Sequence, residues 1–190
     1  MDSKDQKILD ASLALFLRHG YRKVTMSDIA QASEMSRPSL YASFSNKEGI
    51  FSALVARQQR RNGLATAERL PAASGLHAQL ACLFDIWLIG PVMSVLGSEN
   101  ATDLIVNCQA WAPDATRAMH AEFEQALKTV LAPNLTGNPY ITADDMAFIL
   151  RTATTSLKAS VENEPHLRRM VSGLIAMAVA TVEKNGSEKK

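Results

Sequence analysis

Three helix-start signals fall within the 23 residues from Thr25 to Lys47, TMSDIAQASEMSRPSLYASFSNK. Thr25 has Asp28 three positions on, with Val24 and Ile29 flanking it as a hydrophobic staple. Ser36 is flanked by Met35 and Leu40, and Ser45 is followed three positions on by Glu48. A Ser or Thr hydroxyl accepts from the orphan amides of a helix start, and an acid at the third position complements the cap and the helix dipole. The spacing therefore predicts a short helix, a tight turn, a second short helix and then a longer one. That succession is the helix-turn-helix shape, whose second helix can lie in the major groove of DNA.

The remaining segments also follow a helical period. Ile8, Ala11, Ser12, Leu15 and Phe16 form one stripe, ended by His19-Gly20 because Gly tolerates a left-handed cap. A fourth helix is predicted from about Asn46 to Leu70, stopped by Pro71. A fifth is marked by Leu76, Leu80, Leu83, Phe84, Trp87 and Leu88 and broken by Gly90-Pro91. Further helices are expected over Pro91 to Leu96, Ala101 to Trp111 and Pro113 to Leu131, with a loop from Pro133 to Pro139. Thr142 starts a helix to about Val161, and Pro165 opens the last one, through Glu183. No alternating strand pattern occurs, so the fold class is all-α.

The last two helices are apolar on more than one side. Met146, Leu150, Ala153, Leu157 and Val161 make one stripe, and Leu167, Val171, Leu174, Ala178 and Val182 another. Thr152, Thr155, Ala159, Ala176, Met177, Ala180 and Thr181 lie off those stripes without supplying a charged face. A helix apolar on two sides must bury two sides. Either both are buried within one chain, or two chains join these helices into a four-helix dimer interface.

Composition sets the outer bounds. A chain of 190 residues makes one helical domain or two small ones sharing a core. Its net charge of +1 is uneven: residues 1–63 hold ten Lys or Arg against six Asp or Glu, and the rest ten against thirteen. The basic excess accompanies the helix-turn-helix, where phosphates would be. MDSKDQK lacks the apolar core of a signal peptide. The apolar stretch from Ile86 to Gly97 is interrupted by Pro91 and falls short of the roughly 20 residues a bilayer requires. Cys82 and Cys108 form no CxxC pattern, and His77, His120 and His166 have no metal spacing. A cytoplasmic location, no membrane, no cofactor and no metal follow as expectations.

At residues 7 to 54 the chain resembles the tetracycline-repressor (TetR) family of bacterial transcriptional regulators. The resemblance rests on I-L-x-A-x-x-L-F in the first helix, G-Y before T-x-x-x-I-A, then S-x-x-x-L-Y-x-x-F, and K-E. It implies a three-helix DNA-binding domain over 1–46 and a body of about six helices over 47–190 for ligand binding and dimerisation. It also implies a homodimeric repressor on double-stranded operator DNA, released by a small-molecule effector. Thr25, Tyr41 and Lys47 match family positions beside the phosphate backbone. Ser36, Arg37, Pro38 and Ser39 match the exposed start of the recognition helix.

Two positions depart from the pattern. Glu34 stands where the family commonly has Gly in the turn, and Ser43 where many members have His. Chemistry fits the implied roles: Arg37 can fork onto guanine O6 and N7, Ser39 can read several bases weakly, and Pro38 offers an apolar face. Thr25, Tyr41 and Lys47 would fix position rather than sequence.

For the body, Phe84, Trp87, Met93, Leu104, Asn107, Cys108, Trp111, Met119, His120, Phe123, Phe148, Thr152 and Thr155 are candidates to line an effector pocket. They combine aromatic and thioether groups with a few polar ones, as small-molecule pockets do, and would suit an apolar or aromatic ligand. The same residues can equally be plain core. Two other functional readings stand beside the repressor: a ligand-independent or activating regulator, and a helical enzyme with a vestigial DNA-binding end. No nucleophile-base pattern or phosphate-cradling Gly loop supports the enzyme.

Overall fold

The computed structural model describes residues 3–160 and 163–187, and every regular element among them is helical. In chain order the helices are α1 Ser3–His19, α2 Met26–Ala32, α3 Arg37–Ser43, α4 Lys47–Arg69, α5 Leu76–Phe84, α6 Gly90–Met93, α7 Ala101–Trp111, α8 Pro113–Leu135, α9 Ala143–Ser160 and α10 Glu164–Ser187. They form two compact units, one of Met1–Gln59 with Val95–Met119, the other of Arg60–Ser94 with His120–Lys190. The division falls within α4 and within α8.

In the first unit the helix starts are set by side-chain caps. The Thr25 hydroxyl accepts from the Asp28 amide at 3.2 Å while the Thr25 amide donates to Asp28 Oδ2 at 2.8 Å, a reciprocal capping box. The Thr25 hydroxyl, which donates to Asp28 Oδ2 at 2.7 Å, and then the Thr25 amide hold the Asp28 carboxyl below its ordinary range. Ser36 Oγ accepts from the Ser39 amide at 3.3 Å, and Pro38 sits in the first turn of α3, where a missing N–H costs little. The third cap differs from expectation. Asn46, not Ser45, does the capping, its Oδ1 accepting from the Gly49 amide at 2.8 Å. An Asn side chain caps a helix start as well as Ser does, so the start moves one residue on.

Ile8, Leu9 and Phe16 from α1, Ile29 from α2, Leu40 from α3 and Ile50 from α4 are fully buried together. Leu104 and Ala112 join them from the α7 region. Asn100 ties that segment to α1, its amide side chain donating to the Leu17 carbonyl at 3.1 Å. Arg57 on α4 reaches Asp10 on α1 at 2.6 Å. The turn between α2 and α3 passes through Glu34 at φ +54, the left-handed conformation glycine adopts most readily. The Glu34 carboxylate pairs with Lys7 on α1, which holds its carboxyl low.

The second unit corrects the reading of Gly90-Pro91 as a helix break. α5 continues through a π-helical turn, Asp85–Ile89, directly into α6. A proline has no N–H and its ring crowds the carbonyl four residues back. A π turn widens the helix by one residue and accommodates that crowding without ending it. The result is an unbroken run, Leu76–Met93, long and apolar enough by length and composition to cross a bilayer. Leu80, Leu83, Phe84, Ile86, Trp87, Leu88 and Ile89 within it are buried inside the protein, as in a core helix.

Pro133 likewise does not start a loop. It lies in the last turn of α8, which continues to Leu135. There Asn134 Nδ2 donates to the Val130 carbonyl at 3.0 Å and Thr136 Oγ1 to that of Ala132 at 3.2 Å. The Ala132 carbonyl is among the last four, which the ending helix leaves without an amide, and the Thr136 hydroxyl serves it.

α8 and α9 are joined along their length by a ladder of charged pairs, Lys128 to Asp144 at 2.5 Å and Arg151 to Glu124 at 3.0 Å. One step further along both helices, half-buried His120 comes under the influence of Lys158 and Arg151 on α9 and Glu124 on its own helix. Burial first, then the two cations, push its pKa down to about 4. On α9 and α10 the inner stripes are buried at Met146, Leu150, Leu167, Val171, Ile175 and Ala178. Phe148, Ile149, Met170 and Met177 are exposed, at 53%, 53%, 37% and 61%. Thr152, Thr155, Ala176 and Ala180 also face outward. Val161 and the side chain of Ala159 lie outside the described residues.

Two outcomes check this account. Glu34→Gly should raise the urea midpoint, because a left-handed non-glycine residue costs more than an exposed ion pair returns, whereas Glu34→Ala should lower it. For His120 the folded pKa lies below the unfolded value of about 6.5. The unfolded chain therefore protonates first, and stability falls as pH drops from 6.5 toward 4. His120→Gln should flatten the urea midpoint across that window while leaving it little changed above pH 7.

Candidate nucleic-acid interface

The surface formed by the starts of α2 and α3 holds most of the residues matched to DNA contact. Thr25, Ser36, Arg37 and Pro38 are exposed, and Ser39 is half-exposed. α3 turns Leu40 into the core and Tyr41 outward at 51% exposure. This follows from its seven residues: only one buried position anchors it, so the rest of its surface is available. Ser43 is partly buried near the helix end. Arg37 does not extend freely; its guanidinium donates to the Ser27 hydroxyl on α2.

Lys47 is placed differently from a lysine that waits only for phosphate. Its ammonium donates to the carbonyls of Tyr21 at 2.7 Å and Val24 at 2.9 Å, and lies 4.4 Å from the centre of the Tyr21 ring. Partial burial holds its pKa below the ordinary value. Lys47 therefore fastens the start of α4 to the segment that leads into the Thr25 cap. Trp111 stacks on Tyr21 at 4.1 Å between ring centres and meets Phe51 edge-on at 5.5 Å. Phe16 completes this aromatic group, 5.2 Å from Tyr21. Burial, then the Glu48 charge, pushes the Tyr21 phenol up to about 12.

The candidate pocket residues separate between the two units. Leu104, Cys108, Trp111 and Met119 pack into the core of the unit that carries the helix-turn-helix. Cys108 Sγ lies 3.0 Å from the Leu104 carbonyl, and Asn107 is turned to Asp103, its amide donating to Oδ1 at 2.8 Å. Phe84, Trp87 and Phe123 come together in the second unit. Trp87 stacks on Phe123 at 5.6 Å and Phe84 meets Phe123 edge-on at 5.8 Å. The Trp87 indole N–H donates to Thr66 Oγ1 on α4 at 2.9 Å. Met93 is partly buried, whereas Phe148, Thr152 and Thr155 face outward from α9, away from this aromatic group. Ser27 and Tyr21 escaped the sequence reading. A residue that acts on another helix's side chain leaves no trace in helical periodicity.

By geometry, α1 to α3 with the start of α4 form a helix-turn-helix unit with an exposed second helix. Residues 8–54 match the family described as bacterial regulatory proteins, tetR family. The match covers the helix-turn-helix segment, about a quarter of the chain, and the similarity to that family is one of this segment. It is 43% identical over 49 residues to the HTH-type transcriptional repressor ComR of Escherichia coli, a match covering 26% of this chain and 23% of the relative. The matched segment therefore spans about a quarter of that protein's length.

Solved structures are similar over nearly the whole chain. A TetR-family transcriptional regulator from Rhodococcus sp. has a TM-score of 0.75 at 16% identity, covering 93% of this chain and 99% of that one. A transcriptional regulator from Saccharomonospora viridis in complex with choline has a TM-score of 0.69 at 18% identity, covering 90% and 92%. At these identities the likeness is one of fold.

Trp111→Ala should remove the stack on Tyr21 and destabilise the protein by about 3 kcal/mol, measured by urea unfolding. Lys47→Met keeps the apolar stem and removes the ammonium. It should speed amide hydrogen exchange over residues 21–28 and leave α9 unchanged.

Proposed function

We propose that this chain is a transcriptional repressor that binds a near-palindromic DNA operator as a homodimer and is released by a small apolar or aromatic molecule. The observation that carries DNA binding is the exposed start of α3, with Arg37, Pro38, Ser39 and Tyr41 presented beside the Thr25 cap of α2. Arg37 reads guanine, and Thr25, Ser36 and Tyr41 position the backbone. Ser43 and Lys47 lie at the edges of this surface, Lys47 acting by holding the Tyr21–Val24 segment in place as well as by its charge.

The dimer reading rests on the outward apolar faces of α9 and α10, where Phe148, Ile149, Met170 and Met177 are exposed on a single copy. A monomer gains nothing by leaving such side chains in water, while a two-fold pairing of these helices buries them. The effector reading rests on Phe84, Trp87 and Phe123, whose indole is tied to α4 through Thr66. A ligand that parts this aromatic stack must also move the Trp87 link to α4. Release then requires a ligand that binds better to the altered conformation, with coupling of about 1–3 kcal/mol. The aromatic trio is packed upon itself, which favours, as the second reading, a regulator that needs no ligand. The intended site of action is the cytoplasm, where operator DNA is met.

The test is selection of duplexes from a random library by the purified protein, followed by titration of the enriched sequence. Two half-sites about 10 base pairs apart, or a multiple of that, and a steep fall of affinity with salt are the expected outcome. Arg37→Ala should relax one base position and cost roughly 1–3 kcal/mol. Ala176→Arg or Ala180→Arg should shift light scattering from dimer to monomer and weaken DNA binding with it. Enrichment of no sequence would refute the operator reading; a stable wild-type monomer at micromolar concentration would refute the dimer.

A further inference from the structure

We infer that Ser27 is a specificity-determining residue that acts through Arg37, by holding its guanidinium at the angle from which it reads a base. The inference rests on the operator-binding reading above and assigns within it a residue that nothing else marks. Ser27 is the second residue of α2 and Arg37 the first of α3, so the two lie at neighbouring helix starts. Helix starts are the part of a helix-turn-helix that meets the groove. The Arg37 guanidinium donates to the Ser27 hydroxyl across the turn. Both helix starts are themselves fixed, α2 by the Thr25–Asp28 box and α3 by the Ser36 cap. The hydroxyl is therefore a fixed point for the arginine rather than a partner that moves with it.

The energetic logic follows from the side chain. A free arginine loses considerable rotamer freedom when it forks onto a base. A guanidinium already held by one acceptor surrenders part of that freedom on folding, and keeps its remaining N–H groups for guanine O6 and N7. Ser27 is too short to need the same base itself in order to affect it. Its removal should loosen discrimination at the position Arg37 reads and leave every other position alone. It should also leave the salt dependence unchanged, since no charge is lost.

The experiment compares full-length wild type, Ser27→Ala, Ser27→Thr, Arg37→Ala and the double variant by selection from a random duplex library, with affinities measured on the enriched site and its single-base substitutions. Ser27→Ala is expected to reduce preference about 3- to 10-fold at the one position that Arg37→Ala also affects, with the urea midpoint and salt slope unmoved. Ser27→Thr, which keeps the hydroxyl, should restore the preference. The double variant should match Arg37→Ala alone, because a residue acting through another adds nothing once that residue is gone. Unchanged preference in Ser27→Ala, a uniform loss at all positions, or additive losses in the double variant would each overturn the proposal. Enrichment of no sequence by wild type would instead overturn the operator reading, and this inference with it.

Discussion

The phenol ring of Tyr21 is the contact on which the helix-turn-helix unit depends. Trp111 stacks on it at 4.1 Å, and at that distance an indole fills one face. The Lys47 ammonium also lies over the ring, 4.4 Å from its centre. The same ammonium binds the carbonyls on either side of the turn that enters the Thr25 cap. Three helices far apart in sequence, α1, α4 and α7, thus converge on one side chain. The helices that present Arg37 and Tyr41 to solvent have only a few buried anchors of their own. Their placement is inherited from this stack and from the apolar group of Ile8, Phe16, Ile29 and Leu40 beneath it.

In the second unit the corresponding constraint is Pro91. The π turn before it places Asp85 and Trp87 on the side where α4 passes. Asp85 binds Arg69 at 2.7 Å and lies 3.9 Å from Arg168 of α10, and Trp87 binds Thr66. π turns inside helices recur where a side chain must be aimed. Here the aimed groups tie α5, α4 and α10 together.

How far the sequence led depends on the range of the interactions. Thr25, Ser36 and Thr142 announce helix starts because capping joins residues three apart, the all-helical class followed from the helical period of the apolar residues, and the exposed start of α3 came with the family resemblance rather than from spacing. Asn46 took the cap from Ser45 because both residues are competent and only the packing of α4 chooses between them. Gly90-Pro91 and Pro133 misled because a proline's effect on a helix is decided by whether neighbours reabsorb it, which local rules do not contain. The pocket candidates divided between units for the same reason. Leu104, Cys108 and Trp111 carry a pattern indistinguishable from that of Phe84, Trp87 and Phe123, and only the path of α7 separates them. Glu34 was legible as an oddity, and its partner Lys7, 27 residues earlier, was not.

The placement of the two tryptophans gives this protein a built-in pair of optical reporters. Trp111 belongs to the unit of the helix-turn-helix, and Trp87 to the other. The first is in van der Waals contact with a tyrosine that carries a cation, and the second donates its indole N–H to a hydroxyl. Indole emission depends on such surroundings, so the two should differ in colour and in quenching. Each half of the molecule therefore announces its own state of order, without labels, through the residue that its core was built around.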